Sequence, residues 1–195
     1  MRNTNTETKM SYLRTFLPWI VFAVLPSGSW QWGALAALVV AIAVIGQQVR
    51  AGTGLDALII ELGSAVFFAV LTVIAFADPH SGVHDYSAAL SSGTLAVIAG
   101  VSLAVGKPFT LGIAKRTTPR EMWGLKPFIR TNVVITAAWT TAFALTAVVL
   151  AFVAQAGNAH STTATLIQVA GFVVPMVFTV RYVAHVQAKA GQAAR

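Results

Sequence analysis

The sequence predicts an all-α fold: a polytopic transmembrane helix bundle of about six spans, with both termini in the cytoplasm. Three observations predict it. The 195-residue chain is 56% hydrophobic and only 10% charged, with a mean hydropathy of +0.74, whereas a soluble domain carries about 25% charged residues. Six apolar runs approach or exceed the length that a helix needs to cross a hydrocarbon core about 30 Å thick. The 13 Lys and Arg residues gather in the two tails, at alternate breaks between those runs or, for Arg14, Arg130 and Arg181, within a turn of a run's end, as expected when cytoplasmic segments hold the positive charge. A net charge of +7 would suggest nucleic acid in a soluble protein; here membrane topology accounts for it, and no nucleic-acid partner is expected. The chain has no cysteine, so disulfides, thiolate metal sites and thiol catalysis are excluded.

The runs fall near 12–26, 32–49, 56–77, 86–106, 130–155 and 163–184, between a 1–11 tail and a 185–195 tail. None alternates as a strand does, and a backbone in lipid must pair its own polar groups, so each reads as a helix. The first run follows Arg2, Lys9 and Arg14 and resembles a secretory leader. Pro18 interrupts it, however, and no small-residue cleavage pattern follows, so it reads as a retained helix, short and bounded by Pro18 and Pro26. Arg50 separates the second and third runs. Between the fourth and fifth lie Lys107, Lys115, Arg116, Arg120, Lys126 and Arg130, and Arg181, Lys189 and Arg195 close the chain. The opposite breaks, 27–31, 78–85 and 156–162, contain neither Lys nor Arg. The bilayer, in a bacterial inner membrane, is the first expected partner.

The hydrophilic connection 107–130 interleaves six cations with Phe109, Leu111, Ile113, Met122, Trp123, Leu125 and Phe128. Thr118, Pro119 and Glu121 have the spacing of an N-cap, a first-turn proline and a capping-box glutamate, with Gly124 as the stop. A short surface helix over 119–124 is expected, with aromatics toward the acyl boundary and cations toward anionic lipids or a partner protein. The docking residues would be Lys107, Lys115, Arg116, Arg120, Trp123, Lys126 and Arg130; an ordinary topology-setting loop is the plainer reading.

Glu61 is the one acidic residue well inside a predicted span. A carboxylate at that depth needs a partner, water or a proton. Arg130, Arg181, Arg50, Lys107 and Asn132 lie near helix ends on the same side and could supply the partner. A structural salt bridge competes with a carboxylate for proton- or cation-coupled transport. Asn132, Thr136 and Thr140 recur at four-residue steps beside Trp139, on one face of the fifth span. Gly93, Ala96, Gly100 and Ala104 line one side of the fourth. Both faces read as helix packing before a permeation path. Gly171 and Pro175 would bend the sixth span near its middle, a transporter feature in some folds.

A faint internal similarity pairs the second and third spans with the fifth and sixth: Trp32 with Trp139, and Ile60-Glu61 with Ile167-Gln168. It is compatible with an inverted repeat and makes Gln168 the counterpart of Glu61. The loop DPHSGVHD offers Asp78, His80, His84 and Asp85, with His160 on the same side. Imidazole and carboxylate can bind zinc or copper, yet a solvated loop explains the segment without a metal. No phosphate loop, nucleophile elbow or paired zinc-protease histidines occur, so no catalytic residue and no cofactor are expected.

FLPWIVF at 16–22, VLTVIAFADP at 70–79, GKPF at 106–109 and PMVFTVRYV at 175–183, with Trp123 before a basic, aromatic entry to the fifth span, give the chain a layout. That layout resembles the bacterial intracellular septation protein A family, or a sister family with the same arrangement. Spans four and five are richer in Ala, Ser and Thr than that family's, and the 107–130 connection is longer and more basic. The resemblance implies a non-enzymatic inner-membrane role in septation or envelope maintenance, acting through other envelope or division membrane proteins. A small proton- or cation-coupled transporter using Glu61 is the alternative, and a membrane enzyme or metal site in the His/Asp loop the third.

Overall fold

In a computed structural model of the chain, residues 4–25, 29–54, 57–116 and 118–193 are described. Arg2, Pro26, Asp56 and Arg195 lie outside them, as does the side chain of Lys9. The described residues form seven α-helices: α1 (Thr4–Val24), α2 (Trp30–Arg50), α3 (Ile59–Ala77), α4 (Val83–Ala104), α5 (Phe109–Lys115), α6 (Lys126–Gln155) and α7 (Thr162–Ala193).

Five of them, α2, α3, α4, α6 and α7, are long and apolar enough to cross a membrane. The protein is therefore an integral membrane protein built as a helical bundle. Its outer faces carry Val66, Val73, Val97, Leu145 and Val174, each more than 60% exposed, an arrangement suited to acyl chains and costly in water. The expected first span differs. The apolar part of α1 is Arg14–Val24, about 16 Å long at 1.5 Å per residue, roughly half of the hydrocarbon thickness.

Side-chain contacts fix the register. Thr15 meets Glu61, Trp19 meets Ser64 and Phe22 packs on Phe68, so α1 runs parallel to α3. Continued at the same offset, Val24 falls beside Val70, while α3 goes on to Ala77. Thus the apolar part of α1 begins at the level of Glu61 and stops about two turns short of the far end. At that end Trp30 donates its indole N–H to the Pro79 carbonyl at 2.9 Å, joining the start of α2 to the end of α3.

The most extensive packing is α4 against α6. A Cβ added at Gly100 would touch Thr140 at 3.5 Å, and one at Gly93 would touch Ala147 at 3.8 Å, so the small-residue face of α4 lets the two helices approach closely, as membrane helices do. α7 packs antiparallel on α6: Trp139 donates to Thr179 at 2.9 Å, and Gly171 lies against Thr146. α7 stays one continuous helix through Gly171 and Pro175, where a bend is expected. Pro175 has no N–H to offer the Gly171 carbonyl one turn earlier, and in the following turn the Thr179 hydroxyl donates to the Pro175 carbonyl at 2.8 Å. Gly171 serves close approach to Thr146.

The middle of the bundle is aromatic. Phe16 from α1 stacks on Trp139 at 5.0 Å, and Phe109, Phe143 and Phe172 surround the pair. Trp139 and Phe143 are fully buried. Rings from three other helices therefore meet α1 where the sequence allowed for a polar path.

Candidate functional site

The connection 107–130 is where structure departs furthest from expectation. α4 ends at Ala104; just beyond it Gly106 has a φ of +70° that suits glycine, and the Lys107 N–H bonds back to the Ser102 carbonyl at 2.9 Å. Pro108 then starts α5. Ser102 ties the new helix to the old: its hydroxyl donates to Ala99 at 2.7 Å and accepts the Phe109 N–H at 3.1 Å. Phe109, Thr110 and Ile113 are buried. They join the protein core and do not face the acyl boundary. Gly112 allows this, because a Cβ there would lie 2.8 Å from the Ala57 carbonyl oxygen.

α5 delivers Arg116 to Glu61. The guanidinium Nη2 donates to Glu61 Oε1 at 2.8 Å, and Nη1 donates to the Thr15 hydroxyl at 3.3 Å. Thr15 in turn donates to the same carboxylate oxygen at 2.9 Å. Glu61 is 3% exposed and Arg116 13%. Burial of an isolated carboxylate is expensive; here a cation and a hydroxyl from two other helices offset it. The Nε–H of Arg116 has no hydrogen-bond partner among the described residues. None of the five expected partners takes this role. Arg50, Lys107, Arg130 and Arg181 are exposed, and Asn132 donates to the Phe128 carbonyl at 2.9 Å.

The Asn132, Thr136 and Thr140 stripe is a packing seam. Thr110 of α5 shares a 2.7 Å hydrogen bond with Thr136 and donates to the Asn132 carbonyl at 2.9 Å; Thr140 donates to the Thr136 carbonyl at 2.8 Å. Both ends of α5 are thus fixed through buried polar contacts.

The expected helix over 119–124 is a single 3₁₀ turn, Arg120–Met122, with no side-chain cap. Gly124 and the approach to α6 leave too few residues for a capped α-helix, and the Thr118 carbonyl accepts the Trp123 indole N–H at 2.9 Å. Lys115 and Arg120 lie over the Trp123 ring, at 5.1 and 5.7 Å from its centroid. Lys107, Lys126 and Arg130 are exposed nearby in sequence, as are Met122 and Leu125. Of the seven anticipated docking residues, Arg116 alone turns inward.

At the opposite end the cluster is not the one the loop sequence suggests. His84, Asp85 and His160 come together, with one ligand-competent atom of each within 4.8 Å of the others. His160 Nε2 and Asp85 Oδ1 share a 3.1 Å hydrogen bond. Asp78 instead accepts the His80 backbone N–H at 3.1 Å, a local turn contact, and both residues are exposed outside the cluster. A cavity of about 200 Å³ adjoins the cluster, lined also by Phe22, Leu25, Trp30 and Gln168. It occupies the space that the short α1 leaves unfilled. The proposed repeat partners differ in setting: Glu61 is buried in an ion pair and Gln168 half-buried beside the cavity, while Trp32 is 59% exposed and Trp139 buried.

Comparison with known proteins finds no family, no curated protein and no solved structure that the chain matches.

Proposed function

We propose that this protein is a non-enzymatic scaffold of the bacterial inner membrane, serving the cell envelope by docking partners at its basic end, with both termini in the cytoplasm. The observation that carries the reading is the state of the bundle interior. The one buried carboxylate among the described residues, Glu61, is held by Arg116 and Thr15, the hydroxyl stripe packs α5 onto α6, and the middle is filled with rings. A coupled transporter needs Glu61 to exchange protons or cations with water, and this arrangement supports that role less well than a structural one. The accessible cationic chemistry lies outside the bundle, in the exposed Arg120, Lys126 and Arg130 and the half-buried Lys115 and Trp123. The resemblance to septation proteins points the same way, toward partners in division or wall synthesis.

The test replaces Lys115, Arg120 and Lys126 with Gln together, leaving Arg116 in place because it belongs to the core. A fluorescent fusion of the variant should insert into the membrane at normal abundance and lose the localisation of the parent. Unchanged localisation and unchanged proximity-labelled neighbours would contradict the scaffold reading.

A further inference from the structure

We propose that His84, Asp85 and His160 form a binding site for a zinc-class divalent transition-metal cation at the mouth of the cavity that α1 leaves open. Two imidazoles and one carboxylate are a donor set suited to such ions, leaving a fourth position for water or another ligand. The three groups come from separate parts of the chain, the first turn of α4 and the connection between α6 and α7, and the fold brings them together.

The geometry is close to what ligation requires. Bonds of about 2.0–2.1 Å in a tetrahedral site place ligand atoms roughly 3.3 Å apart. His160 Nε2 and Asp85 Oδ1 are already at 3.1 Å, and all three donors lie within 4.8 Å. Side-chain rotation at the exposed Asp85 and His160 closes the remaining gap without moving a helix. His84 is the better-supported ligand: its ring stacks at 5.1 Å on Trp30, which is buried and anchored to the Pro79 carbonyl. The His84 and His160 rings lie 4.5 Å apart, so the two imidazoles adjoin each other beside the carboxylate.

On binding, the ion takes the lone pair of one nitrogen of each neutral imidazole and an oxygen of the ionised carboxylate. The hydrogen bond between Asp85 and His160 gives way to two bonds to one cation. An exposed pair of this kind contributes little by itself; a shared ion would clamp the start of α4 to the α6–α7 connection.

Equilibrium dialysis of the full-length protein in detergent against zinc, with metal analysis, tests this. The parent should bind about one zinc per chain at micromolar concentrations. His84→Ala, His160→Ala and Asp85→Asn should each weaken binding at least about tenfold, and His80→Ala should leave it unchanged. Zinc should raise the melting temperature of the parent and of His80→Ala, but not of the three ligand variants, whose melting without zinc serves as the folding control. A ligand variant that melts early without zinc is replaced by His84→Gln or His160→Gln and scored in the same way. The proposal is overturned if the parent shows no saturable binding, if binding survives loss of both His84 and His160, or if His80→Ala abolishes it.

Discussion

Glu61 and Arg116 illustrate how a buried charge in a membrane bundle depends on its company. With Arg116 in place the carboxylate is paired and hydrogen-bonded; without it, a nearly inaccessible anion faces apolar helices. Removing one member of a buried pair typically costs about 3–5 kcal/mol, whereas replacing both with apolar or neutral groups costs far less. Arg116→Met should therefore lower thermal stability in detergent sharply, Glu61→Gln should do so to a similar degree, and the double variant should recover much of the loss. Strict additivity of the two single losses would show that the side chains are not coupled. The sequence marks Glu61 as needing a partner, because a carboxylate inside an apolar run stands out. It does not mark Arg116, which reads as one of six cations in a hydrophilic connection. A signal was nevertheless present: Phe109, Ile113 and Arg116 recur at helical spacing on one face.

At the scale of elements, α5 is the piece that the hydropathy pattern hides. Seven residues are too few for a span, and the flanking Lys107 and Lys115 make the segment look superficial. Its burial depends on close approach at Gly112, where an added Cβ would press on the backbone of Ala57 at 2.8 Å. Gly63 offers a contrast, since its added Cβ would meet only side-chain atoms of Ile98, Cδ1 at 2.5 Å and Cγ1 at 2.9 Å, and no backbone. Gly112→Ala should cost about 1–3 kcal/mol, as overpacking against a rigid neighbour does. Gly63→Ala should stay within about 1 kcal/mol of the parent, because Ile98 can turn away and alanine favours a helix. Comparable melting losses for the two variants would refute the close approach of α5. The five full spans are legible because runs of about 20 apolar residues have few alternatives. The short α1 and the continuous α7 are less so: a proline looks the same in sequence whether the helix runs through it or ends at it.

For the whole molecule, the two ends differ in chemistry. One end carries the exposed cations around Trp123, the other the imidazole and carboxylate cluster beside a cavity. A juxtamembrane cation contributes about 1 kcal/mol of attraction to an anionic surface, roughly fivefold in affinity. Replacing Lys115, Arg120 and Lys126 with Gln should strip the purified protein of its preference for phosphatidylglycerol over zwitterionic lipid in native mass spectrometry. Arg116→Gln should leave that preference intact, since Arg116 is turned into the bundle; equal losses would mean that the basic end is not organised as described. The charge reading of the sequence anticipated this face but not its division into an inward arginine and an outward cation and indole group. If the interior is a closed, structural assembly with Glu61 held in its ion pair, liposomes carrying the purified protein should show no proton or potassium flux above protein-free liposomes, for the parent or for Glu61→Gln. A flux in the parent that Glu61→Gln abolishes would instead make Glu61 a transport carboxylate.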